Sequence, residues 1–208
     1  RFFRPQTIVN TDANHFRAGL GGNHDLTFGF SWRRHDATTQ TVFPGNMISG
    51  YDNSVIDQRA RLQREGLGTN RTEYLAFYVG DTFQRDRFTL TAGLRYDRQD
   101  GAALASDARA NTGLPDVLPG ISFPGYDTPF TWNTLLPRVG VTYALDDQSK
   151  TLVRANFSMY ASQLDATTVG FSNPSGAVGF VEYPWSDANG DNFVQPGEVD
   201  TTVAPLAF

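Results

Sequence analysis

Apolar and polar side chains alternate along the stretch from Glu73 to Arg98, and this alternation most restricts what the chain can fold into. Every second residue from Leu75 to Val79 is apolar, and after the polar residues Gln84 to Arg87 the pattern resumes from Phe88 to Tyr96. A period of two predicts strands, not a helix. The polar break has about the length of a hairpin connection, so the stretch is predicted to be a long antiparallel β-hairpin.

The opposite face of the second predicted strand is too polar for the interior of an ordinary β-sandwich. It carries Thr89, Thr91, Gly93, Arg95 and Asp97. Such a face suits a wall with water on one side, and strands of membrane barrels alternate in this way, with apolar residues outward and polar residues inward.

Composition favours β structure and excludes some functions. Aromatic residues make up 13% of the 208 residues, and the chain has 20 Gly but only 2 Met, which is typical of strands and turns and not of helical bundles. The net charge of −5 argues against nucleic acid as a partner, because phosphate binding needs a basic surface. Because there are no cysteines, disulfides and thiolate metal sites are excluded.

Four further segments alternate like the hairpin, so about six strands are predicted. They are Ala13 to Leu20, Asp25 to Arg34, Thr134 to Tyr143 and Thr151 to Tyr160. Long loops are predicted at about residues 35–70, 99–131 and 161–208. The first contains Asn53 and a charged stretch from Asp57 to Glu65 that is predicted as a short helix, and the last contains short strands near Val178 to Tyr183.

The connections alternate between short and long, with turns at Gly21-Gly22-Asn23, at Gln84 to Arg87 and at Asp146 to Ser149. This predicts an all-β fold, an antiparallel up-and-down transmembrane β-barrel with short periplasmic turns and long extracellular loops. A soluble β-sandwich or propeller with functional loops is the alternative. Six strands leave two unpaired edges, so the chain, residues 1–208, is expected to be part of a larger barrel.

No apolar run approaches the ~20 residues that a membrane-spanning helix needs, so any membrane crossing is predicted to use strands. The sequence begins at Arg1, without an initiator Met or the pattern of a signal peptide, and is therefore expected to be a processed or partial chain.

Three stretches resemble TonB-dependent outer-membrane receptors. They are EYLAFYVGDTF at 73–83, RFTLTAGLRYD at 87–97 and LPRVGVTY at 136–143. The stretch NHDLTFGF at 23–30 resembles the Oar-like subgroup. The resemblance implies a segment of a 22-stranded, plugged barrel in the bacterial outer membrane. It also implies contact with outer-membrane lipid, import or binding of an unidentified extracellular substrate, and a TonB-type inner-membrane protein as the energy-coupling partner. No TonB box or plug is found in the 208 residues.

The stretch Asp187 to Glu198 has the spacing of an EF-hand-type calcium loop. Its predicted ligands are the side chains of Asp187, Asn189 and Asp191, the backbone oxygen of Phe193, a water held by Gln195, and the bidentate carboxylate of Glu198. Asn192 stands where these loops carry Gly, but Asn also tolerates left-handed backbone geometry. We therefore expect a structural Ca²⁺. The alternative is that Asp, Asn and Gly gather here because they form turns.

Other catalytic patterns are weak, and the chain is predicted not to be an enzyme. The histidines, His15, His24 and His35, lack metalloprotease spacing and are expected near strand ends, and Gly170-Phe171-Ser172-Asn173-Pro174 lacks the closing Gly of a nucleophile elbow.

Arginines on the polar face are predicted to line the barrel lumen; they are Arg33, Arg95, Arg138 and Arg154. Aromatic girdles are predicted from Tyr74 and Tyr96 at the outer rim and from Phe83 and Phe88 at the inner rim.

The second functional hypothesis is a calcium-stabilised extracellular β-domain for adhesion or surface assembly.

Overall fold

A computed structural model describes residues 1–52 and 58–208. Two predicted features, the loop residue Asn53 and the residue Asp57 that begins the predicted helix, lie outside the described residues. The strands are β1 (Phe2–Phe3), β2 (Gln6–Gly19), β3 (Gly22–Thr41), β4 (Ile48–Asp52), β5 (Gln58–Gln63), β6 (Gly66–Arg85), β7 (Phe88–Ala103), β8 (Ser106–Ala108), β9 (Ile121–Phe123), β10 (Tyr126–Asp127), β11 (Trp132–Ala144), β12 (Leu152–Ser158) and β13 (Phe180–Pro184). The α-helix is α1 (Ala166–Val169), and short 3₁₀ turns lie at Gly45–Met47 and Pro196–Glu198.

Six long strands form one antiparallel sheet, as predicted. Its order is β2, β3, β6, β7, β11 and β12, and the short strands β1 and β10 extend it beside β3 and β7. The sheet is not closed, so β2 and β12 are its edges. The strands thus form a section of barrel wall and not a complete barrel.

The central strands are longer than predicted, and this shortens the first predicted loop. β3 continues to Thr41 and β6 begins at Gly66, so these two strands pair over 19 residue pairs. The added part carries Thr38 opposite Thr69, whose hydroxyl oxygens lie 2.8 Å apart. Side chains here are polar on both faces, and for that reason no apolar alternation marks the extension in the sequence.

Tight turns join the strands at one end of the sheet. Leu20 and Gly21 form the two-residue turn between β2 and β3, and their φ angles of 50° and 89° suit the turns that match strand twist. β6 and β7 are also joined by two residues, not by the four predicted, and Asp86 has φ 47°. Between β11 and β12, Asp146 accepts hydrogen bonds from the backbone N–H groups of Gln148, Lys150 and Thr151. We call this the short-turn end.

Cross-strand register separates the long strands into two faces, because directly paired residues point the same way. The apolar face consists of Leu26, Phe28, Phe30 and Trp32 in β3, Leu75, Phe77, Val79 and Phe83 in β6, Phe88, Leu90, Ala92, Leu94 and Tyr96 in β7, Leu135, Val139, Val141 and Tyr143 in β11, and Val153, Ala155 and Phe157 in β12. The polar face consists of Asp25, Thr27, Ser31, Arg33, Tyr74, Tyr78, Thr82, Thr89, Thr91, Arg95, Asp97, Gln99, Arg138, Thr142, Arg154 and Asn156.

Large side chains on the apolar face are exposed to an unusual degree. Phe77 is 49% exposed and Val79 is 53% exposed, and both lie at the centre of the sheet. An exposed apolar face that extends over several strands is typical of a binding or membrane-contacting surface. Among the described residues, no helix is long and apolar enough to cross a bilayer.

The compact hydrophobic core lies in a second, small sheet at the other end, which we call the loop module. Strands β4, β5 and β13 form this sheet. Its core comprises Ile48, Ala60, Leu62, Val181, Trp185 and Val199. The long connections are therefore not unstructured, and the predicted strands near Val178 to Tyr183 are confirmed as β13.

The prediction of a helix from Asp57 to Glu65 is wrong, because Gln58–Gln63 form β5. Ala60 and Leu62 point into the core of the loop module, while Arg61 points the other way and donates to Glu182 at 2.7 Å. Arg59 and Arg61 thus pair with Glu182 across the sheet, and such charges gave the segment the appearance of a solvated helix.

Candidate functional site

The polar face carries a connected cluster of charged and aromatic side chains centred on Tyr74. The guanidinium groups of Arg33 and Arg95 lie 5.3 and 5.6 Å from the Tyr74 ring centroid. Arg95 also donates to the Tyr74 hydroxyl and, through Nε, to Asp97 at 2.6 Å. Asp97 neutralises Arg95, whereas among the described residues the guanidinium group of Arg33 contacts only the ring face of Tyr74. Arg33 is therefore the cation in this cluster that is available to a solute.

Gln99 fixes a segment from far along the chain, residues 162–164, over this cluster. Its side chain is 2% exposed, donates to the Ser162 carbonyl at 3.0 Å and accepts from the Leu164 N–H at 2.8 Å. The segment covers a cavity of about 360 Å³ against the polar face. Its lining includes Asn10, Ser31, Arg33, Tyr74, Arg95 and Gln163. A cavity of this size suits a small polar solute.

A second cavity of about 420 Å³ continues along the polar face toward the short-turn end. It is lined by Asp25, Thr27, Tyr78, Arg95 and Arg138, so Arg95 borders both cavities. The register places the predicted arginines Arg33, Arg95, Arg138 and Arg154 on this one face, as expected. Arg33, Arg95 and Arg138 line these cavities together with the carboxylates of Asp25 and Asp97, whereas Arg154 lines neither cavity.

Three of the four aromatic residues predicted for the girdles lie on the apolar face. Phe83 and Phe88 lie on the apolar face beside the short-turn end, with ring centroids 6.4 Å apart. Tyr96 lies on the same face, and its hydroxyl donates to Asn133 at 2.7 Å. The placement of Tyr74 in the girdle is wrong, because Tyr74 pairs with Gln99 and lies on the polar face.

The stretch Asp187 to Glu198 folds into a closed loop held by its own side chains. Asp187 accepts from the N–H groups of Gly190, Asp191 and Asn192 at 2.8 to 3.1 Å. Glu198 accepts from the N–H of Ala188 at 3.1 Å, which brings position 12 of the loop back to position 2.

The backbone of this loop adopts the left-handed geometry that the sequence predicted. Asn192, at the position normally occupied by Gly, has φ 61°, and Gly190 has φ 74°. Asn189 accepts from the Asp191 N–H at 2.9 Å, and Asp191 accepts from the Phe193 N–H at 2.8 Å. The Gln195 amide donates to Asp191 at 2.7 Å and is therefore engaged by that carboxylate.

Within residues 1–52 and 58–208, no three His, Cys, Asp or Glu side chains are grouped so as to hold a metal ion. The three carboxylates of the predicted ligand set, those of Asp187, Asp191 and Glu198, are therefore not grouped in this way, and the other predicted ligands are amide, backbone and water oxygens. This composition is that of hard-cation sites with oxygen ligands.

The histidines do not form a catalytic group. His15 and His35 lie within β2 and β3 and not at strand ends. His24 lies near the start of β3, and its Nδ1 is 2.7 Å from the Asp81 carboxylate. This pair lies on the apolar face beside Phe83.

Two residues that position the loop module escaped sequence reasoning. Asn111 is fully buried, donates to the carbonyls of Met47 and Gln63 and accepts from two backbone N–H groups. Glu65 is 2% exposed and accepts from the backbone N–H and the guanidinium group of Arg109. These hydrogen bonds from Arg109 lower the pKa of Glu65 to about 2, despite the opposing effect of burial. No local pattern marks either residue.

A protein-family model described as TonB dependent receptor-like, beta-barrel matches residues 1–202. Neither the comparison with curated proteins nor the comparison with solved structures returned a match. The family model covers all six long strands and the Asp187 to Glu198 loop. Its description agrees with an open antiparallel sheet that has one apolar and one polar face. The chain therefore belongs to the TonB-dependent receptor-like β-barrel family.

Proposed function

We propose that this chain forms part of the wall of an outer-membrane receptor that takes up an anionic or strongly polar solute from outside the cell. The family is a receptor and transporter family of the bacterial outer membrane, and we propose no enzymatic activity for the chain. Energy from a TonB-type inner-membrane protein and membership of the Oar-like subgroup are parts of the proposal. The family implies the energy coupling, and the resemblance of residues 23–30 implies the Oar-like subgroup.

The observation that carries the proposal is the polar face. It presents Arg33, Arg95, Arg138 and Arg154 on one side of the sheet, and all of these except Arg154 line the two cavities that share Arg95. Only Arg95 has a carboxylate partner among the described residues. Cations in a water-filled passage raise the local concentration of anionic solutes and speed their entry.

The proposed orientation places the short-turn end in the periplasm and the loop module at the cell surface. Barrels of this kind have short periplasmic turns and longer extracellular loops. In this orientation Phe83 and Phe88 lie at the periplasmic interface of the outer membrane, and Tyr96 lies toward its cell-surface interface. The segment at Ser162 to Leu164, fixed by Gln99, would border the surface mouth of the passage.

Solute depletion by intact cells tests the proposal. Cells with and without the intact receptor are compared for solutes removed from the medium, with and without an ionophore that collapses the proton-motive force. We expect receptor-dependent depletion of an anionic solute that the ionophore abolishes. The variant Arg33→Gln/Arg138→Gln is expected to slow depletion, while Arg17→Gln/Arg85→Gln, which removes equal charge from the apolar face, is not. Depletion that persists with the ionophore would contradict energy coupling.

We also propose that the Asp187 to Glu198 loop holds a structural Ca²⁺ through the predicted oxygens of Asp187, Asn189, Asp191, Phe193 and Glu198 and a water at Gln195. Support comes from the left-handed backbone at Asn192 and from the closure of position 12 onto position 2. The loop lies in the proposed extracellular part of the chain, where calcium is available.

Terbium luminescence tests the calcium proposal, because Trp185 lies two residues before the loop and can sensitise a bound lanthanide. We expect saturable Tb³⁺ emission that Ca²⁺ displaces. The variant Glu198→Gln keeps the size of the side chain and should weaken binding at least tenfold. The variant Asp200→Asn, just outside the loop, is the control. Equal binding by the wild type and Glu198→Gln would remove the site.

The alternative of a calcium-stabilised adhesion domain receives no support from the comparisons, which match a receptor barrel over nearly the whole chain.

A further inference from the structure

The Asp187 to Glu198 loop contains the single Asn-Gly pair of the sequence, Asn189-Gly190. Both residues are exposed to water. An Asn side chain that precedes Gly can react with the backbone, because Gly has no Cβ to obstruct the approach of its nitrogen to the side-chain carbonyl carbon. Attack of that nitrogen closes a succinimide ring and expels ammonia. The contacts around this pair are those that such a reaction requires.

Asp187 holds the group that attacks. Its Oδ1 accepts a hydrogen bond from the Gly190 N–H at 2.8 Å. The N–H bond lies in the peptide plane, whereas the electrons with which an amide nitrogen attacks carbon lie above and below that plane. The hydrogen bond to Asp187 therefore leaves the attacking faces of the nitrogen free. A carboxylate at hydrogen-bonding distance from the proton that must leave has the geometry of a general base.

The side chain of Asn189 is folded back over the peptide that joins it to Gly190. Its Oδ1 accepts from the Asp191 N–H at 2.9 Å, and this N–H is shared with Asp187. Such a hydrogen bond closes a side chain onto the backbone two residues further on, so the Gly190 nitrogen lies between the two ends. When this nitrogen attacks Cγ, negative charge develops on Oδ1. The Asp191 N–H already points at that oxygen and stabilises the charge.

The carboxylate of Asp191 holds the group that leaves. Asn189 Nδ2 donates to Asp191 Oδ2 at 3.1 Å. The amide of Gln195 donates to the same oxygen at 2.7 Å and so fixes the carboxylate. Both substituents of Asn189 Cγ, its oxygen and its nitrogen, are therefore held by defined partners.

We propose that Asn189-Gly190 is a site of self-catalysed deamidation, with Asp187 as the base. The Gly190 nitrogen bonds to Asn189 Cγ as its proton passes to Asp187. The bond from Cγ to Nδ2 then breaks, and the proton passes through solvent to the departing nitrogen, which leaves as ammonia. Water opens the succinimide at either carbonyl and leaves aspartate or isoaspartate at residue 189. Water is the only co-reactant of these steps.

Deamidation changes the charge balance of the loop. It replaces the amide that donates to Asp191 by a second carboxylate, and the two carboxylates then repel each other. A loop held by its own hydrogen bonds thus becomes one that opens unless a cation lies between these oxygens. The reaction itself requires neither calcium nor uptake of a solute. Its failure is therefore distinguishable from a failure of the calcium or the receptor proposal.

Peptide-mapping mass spectrometry measures the reaction in the intact receptor, purified in detergent with a chelator and kept at neutral pH. The converted fraction of residue 189 is followed over time, and isoaspartate is separated from aspartate by chromatography. A synthetic peptide of residues 185–192 gives the rate of the same sequence without the fold, and this comparison needs no variant.

The variant Asp187→Asn tests the role of the base. It keeps an acceptor oxygen for the N–H groups of the loop but cannot take up a proton. The variant Asp200→Asn is the matched control, because Asp200 is an exposed acid just outside the loop. Heat-modifiable migration in gels confirms that each variant is folded.

We expect Asn189 to react at least about tenfold faster in the folded receptor than in the peptide, a gain below the range that well-positioned bases reach. Asp187→Asn should lose most of this gain, and Asp200→Asn should react as the wild type does. Three results would overturn the proposal: Asn189 that stays intact in the folded receptor, a rate no faster than that of the peptide, or equal rates in Asp187→Asn and Asp200→Asn.

Discussion

Replacing Glu65 by Gln should loosen the loop module without unfolding the sheet. Glu65 lies between β5 and β6, and its carboxylate holds the backbone N–H and guanidinium group of Arg109 at 2.9 to 3.3 Å. Gln40 donates to the same carboxylate. The substitution keeps the shape of the side chain but removes the charge that all these donors share.

The pKa of Glu65 gives the magnitude. A pKa lowered from 4.5 to about 2 corresponds to about 3 kcal/mol in favour of the ionised form in the folded protein. Because the Arg109 side chain is 73% exposed, solvent screens part of this interaction, and we expect a loss of about 2 kcal/mol. Local opening would then increase about 30-fold.

Hydrogen exchange of the intact receptor measures this opening. Amides near Arg109 and in β5 should exchange about 30-fold faster in Glu65→Gln at pH 7, while those of β6 and β7 near Phe83 and Phe88 keep their rates. Asp107→Asn is the matched control, since Asp107 is an exposed acid two residues from Arg109. Unchanged exchange in Glu65→Gln, or equal acceleration in the control, would refute the reasoning.

The sign of the pH dependence provides a second check on the same interaction. Because folding lowers the pKa of Glu65, its contribution is complete above pH 4.5 and is lost as the pH falls toward 2. The wild type should therefore lose protection of the loop module across this range. Glu65→Gln, which has no carboxylate at this position, should lack that part of the pH dependence.

Three further predictions concern other parts of the chain. Asn111→Ala removes a side chain with four hydrogen bonds and should cost about 2 to 4 kcal/mol of loop-module stability, measured by hydrogen exchange at β4, with Thr112→Ala at the exposed neighbouring residue as control. Phe77→Lys places a charge in the middle of the apolar face and should destabilise the barrel by about 2 to 4 kcal/mol in urea unfolding from vesicles, whereas Thr91→Lys on the polar face should cost less than about 1 kcal/mol; equal costs would contradict the assignment of faces. The pKa of Asp146 is lowered chiefly by the Lys150 N–H, so Asp146→Ala should raise exchange at residues 148–151 more than Asp147→Ala does.

Much of the main sheet could be predicted because one physical signal, the alternation of side chains, runs through all its long strands. From Leu26 to Trp32 and from Leu75 to Val79 every second residue is apolar and faces the same way, and register follows from that requirement. The signal ends where polar residues and glycines occupy both faces of the strands, and for that reason the extension of β3 to Thr41 was missed.

The loop module could not be predicted because its stabilising contacts join residues far apart in the sequence. Arg61 pairs with Glu182, and Gln99 holds Ser162, and no local pattern announces such partners. The misplacement of Tyr74 had a different cause. Residue type suggested an interfacial tyrosine, whereas the alternation of side chains along β6 places Tyr74 beside Arg95 on the polar face.

Accessibility of single cysteines along β3 tests the central claim, that one face of this sheet contacts lipid and the other lines a water-filled passage. The chain has no cysteines of its own, so each introduced thiol can carry a spin label without background from this region. In the intact receptor in vesicles, labels at Leu26, Phe28 and Phe30 should collide mainly with oxygen, and labels at Thr27, Ser31 and Arg33 mainly with a water-soluble nickel chelate. Equal accessibility of the two sets, or a reversed order, would contradict the account.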